Sequence, residues 1–189
     1  PPPTEEPAIL RRSCGSLDWV ISQDVEDPPN AIVNSANRPY DPPPTKPLKF
    51  LIVSVHKNLA EVDDQDLVEN YLDHTNSGIF LGFAAGQVWL ADFQANPAYR
   101  AGEHYDECVF TFHCRKIGWE LRLLDCGFEE MLPGPLLNPY RVIRDRNSQP
   151  VSQPALLNGA GLRLAIGGQP QFQVFEIFDE ANFDDLGLF

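Results

Sequence analysis

Basic side chains are scarce in this 189-residue chain: 14 Lys and Arg stand against 27 Asp and Glu, a formal charge of -13. Phosphate affinity is carried by clustered Lys and Arg, so this balance argues against a general nucleic-acid binder. An acidic wall does the opposite: it repels DNA and lets it slide through a channel without sticking. Long apolar runs are missing too. None approaches the roughly 18 residues that cross a bilayer as a helix, so no membrane partner is expected. The first residues hold no basic region followed by an apolar core, and no secretory signal is expected from them.

Cysteine is sparse, at Cys14, Cys108, Cys114 and Cys126. On one strand Cys108 and Cys114 would lie about 20 Å apart, beyond disulfide reach. Taken with His104 and His113, their spacing matches no C-x-x-C or H-x-x-x-H pattern, and His113 points away from both thiols on a strand. Reduced thiols and no metal site are the expectation, as in a protein assembled inside a cell.

Catalytic signatures are absent as well: there is no G-x-S-x-G, no P-loop and no H-E-x-x-H. The string Ala31 to Asn37, AIVNSAN, resembles the ADP-ribose-binding loop of macrodomains. There a run of glycines follows and lets backbone amides approach phosphate; here Arg38-Pro39-Tyr40-Asp41-Pro42 follows, which removes the cradle. His56 with Asp63, and His74 with Asp73, read as capping or solvent-facing groups rather than acid-base pairs. No catalytic residue and no cofactor are expected.

What the chain does have is apolar content, 43% hydrophobic with 11% aromatic, enough to bury a core in one domain with extensions. Eleven of its 18 prolines fall in the first 47 residues, a region expected to run as extended arm and turns. Within it Ser16 to Val25 alternates Leu17, Trp19 and Ile21 against Asp18, Val20 and Ser22, which predicts a strand; Ala31-Ile32-Val33 predicts another short one. Leu48 to His56 is a near-continuous apolar run that fits a central strand covered on both faces.

The stretch from Phe80 to Phe128 carries the clearest pattern. Gln87–Gln94, Glu107–Arg115 and Gly118–Cys126 are three apolar-rich segments, the last two separated by the Lys116-Ile117-Gly118 turn signal, which predicts a long hairpin. On its first arm Cys108, Phe110, Phe112 and Cys114 share one face, with Val109, Thr111 and His113 on the other. On its second, Trp119, Leu121 and Leu123 alternate with Glu120, Arg122 and Leu124.

One helix is predicted. Asp63 or Asp64 caps it, acidic residues fill its first turn, and Leu67, Val68, Tyr71 and Leu72 form the stripe that packs on the sheet. Asn76-Ser77-Gly78 ends it, and the turn at 84 to 86 introduces the next strand. From Met131 to Pro170, Pro and Gly punctuate the pattern throughout, which reads as a long connection. Pro170 to Phe189 reads as a strand followed by EANFDDLGLF, with acidic but no basic residues from Gln171 onward. The fold class expected is therefore α+β: mostly antiparallel sheet with a long hairpin, one packed helix, and extended N- and C-terminal arms. Its parts are an arm at 1–47, a core at 48–130 and a loop-rich connection with a C-terminal arm at 131–189.

The ordered set NSANRPYDPPP (34–44), VSVHKN (53–58), SGIFLGFAAGQV (77–88), GWELRLLDCGFEE (118–130), PVSQPALLNGAGLRL (150–164) and EANFDDLGL (180–188) resembles a family of virion structural proteins of tailed bacteriophages and prophages. The likeness runs through nearly the whole chain after about Trp19. Where similar proteins read NSAGDPFDPP, this chain has Arg38 for the acidic residue and Tyr40 for the aromatic. The resemblance implies a neck or tail-completion protein that places a helix on an antiparallel sheet, sends arms to its neighbours and forms rings around the DNA path.

The reading that joins residues and resemblance is a non-enzymatic head-to-tail connector or tail-terminator-like ring subunit in the virion, assembled in the host cytoplasm. Its partners are copies of itself and other neck and tail proteins, with DNA as passing cargo. Phe172, Phe175, Phe178, Phe183 and Leu186 are the expected subunit-interface anchors, docking an arm onto a neighbour's sheet as an added strand; Leu188 accompanies them. Removing 171–189 is expected to leave a foldable core that no longer assembles. The rivals are a capsid decoration or baseplate protein and a secreted β-rich binding module or effector, the last of which would pair its cysteines.

Overall fold

In the computed structural model, residues 2–20, 32–41, 43, 45–135 and 138–189 are described. The elements in chain order are β1 (Ile9–Val20), β2 (Thr45–Leu59), α1 (Asp64–Asn70), β3 (Thr75–Asn76), β4 (Val88–Arg100), β5 (Glu103–Cys114), β6 (Leu121–Leu124), β7 (Cys126–Gly127), β8 (Glu129–Met131), β9 (Tyr140–Val142), β10 (Ala155–Leu156), β11 (Phe172–Phe175) and β12 (Glu180–Ala181), with 3-10 turns at Pro3–Glu5 and Phe183–Leu186. The molecule is broadly α+β, dominated by antiparallel sheet with one α-helix. The chain divides into two compact units, one of Pro1–Leu17, Leu48–Glu120 and Glu176–Phe189, the other of Asp18–Pro47 and Leu121–Phe175. Its boundaries fall at 17/18, 47/48, 120/121 and 175/176, so of the two expected boundaries the division has the one at 47/48 and not the one at 130/131, and the loop-rich region expected as a connection belongs to the second unit.

The first unit is built on a six-stranded sheet in the order β1-β2-β5-β4-β3-β12. Leu51 to Leu59 of β2 lies antiparallel to Cys114 to Asp106 of β5, which pairs on its other edge with β4. The alternation expected on β5 is present: Cys108, Phe110, Phe112 and Cys114 are all buried on one face. β4 and β5 form a hairpin whose two-residue loop, Ala101-Gly102, has φ of +57° and +90°, the conformation that matches the twist of the flanking strands.

This is not the hairpin expected around Gly118. That turn does form, with the Gly118 N–H donating to the Arg115 carbonyl at 3.0 Å, but β6 beyond it pairs with β11. Both hydrogen-bonding edges of β5 are already taken by β2 and β4, so no edge is left for β6.

β4 carries a bulge between Leu90, opposite Phe112, and Asp92, opposite Thr111. The extra residue, Ala91, reverses the parity of the strand. Val88 and Leu90 face the core before it, and Phe93 and Ala95 pack on the same core after it. Strict alternation would have turned one of these pairs outward.

α1 is shorter than its sequence signal. Asp63 caps it, accepting from the N–H groups of Gln65 at 3.0 Å and Asp66 at 3.1 Å, and the helix ends at Asn70, with Tyr71 as its C-cap. Leu67 is buried and Tyr71 and Leu72 pack on the core, but Val68 is 52% exposed and does not join the stripe. Leu67 joins Phe80, Phe183 and Leu188 in covering Val53, Val55, Val88, Leu90, Phe110 and Phe112. Phe80, Phe112 and Phe183 form a ring triangle with centroids 5.1 to 5.6 Å apart.

Phe183 and Leu188 are thus core residues of their own unit, and Leu186 packs against the same cluster. The expected C-terminal arm is corrected accordingly: its apolar side chains are used at home, where burying each stabilises the unit by roughly 1.5–3 kcal/mol. Removing 171–189 would open this core, so the expectation of a foldable remainder is corrected with it. The N-terminal residues are likewise tied down, with Lys57 Nζ donating to the Glu6 carbonyl at 2.8 Å and Asn58 Nδ2 to the Pro3 carbonyl at 3.1 Å. Of the strand expected over Ser16–Val25, β1 reaches Val20; Ile21 to Val25 lie outside the described residues. Of Ala31-Ile32-Val33, Ala31 lies outside them and Val33 makes a single bridge to Pro39.

The second unit holds three short antiparallel ladders, β6 with β11, β7 with β10 and β8 with β9. Ala36, Ile143 and Leu157 form its buried cluster, with Met131, Val151 and Ala155 against it. Polar side chains replace much of the missing ladder. Asp125, fully buried, accepts from the N–H groups of Ser35 at 2.9 Å and Gly159 at 3.0 Å. Glu130 accepts from both Arg141 Nε at 3.0 Å and the Arg163 N–H at 3.0 Å.

Candidate functional site

The motifs weighed for chemistry are engaged in structure. Asn34 of the AIVNSAN string accepts through Oδ1 from the N–H groups of Ala36 at 3.0 Å and Arg38 at 3.1 Å, and donates from Nδ2 to the Cys126 carbonyl at 3.0 Å. The loop is a fastening within the second unit, and Arg38 pairs with Glu129 while its guanidinium lies 4.0 Å over the Tyr140 ring. Asp73 Oδ1 accepts from Trp89 Nε1 at 3.2 Å, His74 Nδ1 lies 2.9 Å from the Leu72 carbonyl, and Asp63 is the helix cap. Among the described residues no three His, Cys, Asp or Glu side chains converge on a point that could hold a metal ion. The four cysteines are free thiols, Cys14 exposed, Cys126 half-buried and the other two buried. Burial pushes the Cys108 thiol up to about 11 and the Cys114 thiol up to about 12, so both stay protonated and inert at neutral pH.

The five expected interface residues part company. Phe183 and Leu186 belong to the core of the first unit, as described. Phe178 stacks on Trp89 at 4.8 Å between centroids. Phe175 lies opposite Leu121 on the inward face of the β6–β11 ladder. Only Phe172, 58% exposed, faces solvent.

Phe172 has company on that outward face. It stands directly opposite Leu124, and Val174, two residues along, stands opposite Arg122. Leu124 and Val174 are exposed as well, 39% and 48%. On the inward face Leu121 and Leu123 are buried. A two-stranded ladder is marginal alone and leaves both outer edges of backbone groups unpaired among the described strands. The outward face therefore joins exposed apolar surface to open hydrogen-bonding edges, the combination that strand addition or face-to-face docking uses.

A second surface lies on the first unit. The face of the sheet opposite the main core carries an aromatic cluster in which Phe50 stacks on His113 at 4.2 Å and Trp119 approaches Trp89 at 5.1 Å. Burial holds the His113 imidazole below its ordinary range, so it is neutral at neutral pH. Next to this cluster runs a groove of about 620 Å³ lined by Lys49, Arg115, Lys116, Phe50, Leu51 and Ile117, together with Cys114 and Cys14 to Ser16 of β1, with no acidic side chain among the described residues that line it. Arg115 is 8% exposed, its Nε lacks a hydrogen-bond partner, and its guanidinium lies 5.1 Å from the Trp119 ring. Burial pulls its pKa down, with no carboxylate among the described residues to offset it. It nonetheless stays charged at neutral pH.

This cationic groove is legible in the sequence only as the adjacent Arg115-Lys116 pair in a chain poor in bases. Lys49 is brought to it by the β2–β5 register, in which Leu51 faces Cys114.

No helix among the described residues is long and apolar enough to cross a membrane. Comparison with known proteins finds no matching family model, no matching curated protein and no matching solved structure.

Proposed function

We propose that this chain is a non-enzymatic structural subunit of a tailed-phage particle, a head-to-tail connector or tail-terminator-like protein that works by assembling with copies of itself into a ring around the DNA channel. The observation that carries the reading is the outward face of the β6–β11 ladder, where Phe172, Leu124 and Val174 lie side by side in solvent. Exposed apolar side chains gathered on an open-edged ladder are costly on a free monomer and favourable once covered. The excess of 27 acidic over 14 basic residues supports the same reading, because a negative lumen lets DNA pass without binding it. The resemblance of its motif order to that of virion structural proteins, noted in the sequence, favours it too.

In the test, light scattering after size exclusion and negative-stain microscopy compare the wild-type chain with Phe172→Ser/Val174→Ser. Rings of the wild type and smaller species of the double variant, with an unchanged circular dichroism spectrum, are the expected result. A wild type that stays monomeric at high concentration would sink the reading.

A further inference from the structure

Among the described residues, the cationic groove of the first unit has no counter-charge of its own. Lys49, Arg115 and Lys116 line it together, and none of them is ion-paired within the described residues. Taking a guanidinium out of water without an anion is costly, and the cost is offset only when an acceptor arrives. In a chain of formal charge -13, three cations on one groove are a local reversal of the overall field. Phe50, Leu51 and Ile117, the last 75% exposed, give the groove an apolar wall as well.

The complement exists on the same unit. Glu61, Asp63, Asp64, Asp66 and Glu69 run along and just before α1, all exposed, with the exposed Val68 among them. None of these carboxylates is ion-paired in the described residues. The two surfaces cannot neutralise each other within one molecule. Asp64 acts on the Cys108 thiol, and Cys108 faces Lys57 on β2, roughly 25 Å along that strand from Lys49. A Lys side chain does not span that distance.

We infer that the groove lined by Lys49, Arg115 and Lys116 receives the acidic α1 segment of a second copy of this chain, with Val68 against the apolar wall. Such a contact is head-to-tail: one surface meets a different surface on the next copy, so a joined pair still has one free groove and one free helix with which to add further copies. Contacts of this kind close into rings when the rotation permits. The inference rests on the assembly proposed above and adds to the β6–β11 face a second contact, between unlike surfaces of the first unit. Attraction between unlike patches speeds and orients the encounter, and it weakens with salt.

The experiment is a charge swap read by sedimentation velocity on the full chain. Lys49→Glu/Lys116→Glu reverses the groove, and Glu61→Lys/Asp64→Lys reverses the helix; all four side chains are exposed, and none donates or accepts a side-chain hydrogen bond among the described residues. Each pair is expected to weaken self-association by about tenfold or more, and the fourfold variant, with both surfaces reversed, is expected to regain it. Circular dichroism of each variant checks that it is folded. Wild-type assembly that persists unchanged in Lys49→Glu/Lys116→Glu would overturn this inference and leave the assembly reading standing, as would a folded fourfold variant that stays dissociated. A monomeric wild type would remove both.

Discussion

Asn76 shows how much a single buried polar side chain does here. Fully buried, it donates from Nδ2 to the carbonyls of Gly78 and Ala84 and accepts through Oδ1 from the N–H groups of Gln87 at 3.1 Å and Val88 at 2.7 Å. It closes the loop that feeds β4. Asn76→Ala removes all four bonds and takes this acceptor from the buried Val88 N–H, and is expected to destabilise the first unit by about 1–3 kcal/mol, measured by urea denaturation. Glu130 has the same place in the second unit. Burial pushes its carboxyl up, but the Arg163 N–H and the Arg141 guanidinium outweigh burial and hold it below the ordinary range. A depressed folded value means that its stabilisation is present above the unfolded value near 4.3 and fades as pH falls through the folded one. Glu130→Gln is therefore expected to cost about 1–3 kcal/mol at neutral pH, with the gap to wild type narrowing at about pH 3. An equal gap at both pH values would refute the assignment. The sequence marked Asn76 only as part of a helix end and did not mark Glu130, because a lone Asn or Glu carries no pattern of buried bonding until its partners are placed.

At the scale of elements, local pattern and pairing partner separate. The apolar alternation of β5 and the place of β2 inside its sheet were legible, since apolar pattern is written in residue order; that β2 pairs with β5 was not. The partner of β6 was not. A two- or three-residue turn with glycine promises a hairpin only if the neighbouring strand has a free edge, and edge occupancy is set by the whole sheet. The hairpin that does form, β4 with β5, turns at Ala101-Gly102, and Ala101 sits at φ +57° where a Cβ is unfavourable. Ala101→Gly is expected to raise stability by about 0.5–1 kcal/mol, visible as a melting temperature a few degrees higher. No gain, or a loss, would mean that the turn conformation is not as described. The bulge at Ala91 also escaped the sequence: alternation on each side of it is regular, and only the register with β5 shows that the two halves are out of phase.

For the molecule as a whole, composition gave the class and the acidity, while the division of the chain depended on contacts far apart in sequence. The first unit draws on three separate segments and the second on two. Of the expected interface set, Phe172 alone remains at the surface, and the other four show why aromatic content by itself does not mark a docking site: Phe183 reads in sequence just as Phe172 does, yet it is 1% exposed where Phe172 is 58%. The cationic groove needed one residue of β2 and two from the turn after β5, and could be assembled only from the register.

The late position of Phe183 and Leu188 in the chain bears on how the protein is made. Until those residues leave the ribosome, Phe80 and Phe112 lack the rings that cover them, although every strand of the sheet up to β5 has long been synthesised. The nascent chain must carry that bare apolar floor through the synthesis of 121–175, so the growing polypeptide offers a target for chaperones, and a chain cut short before Phe183 is a product fit for proteolysis rather than for assembly.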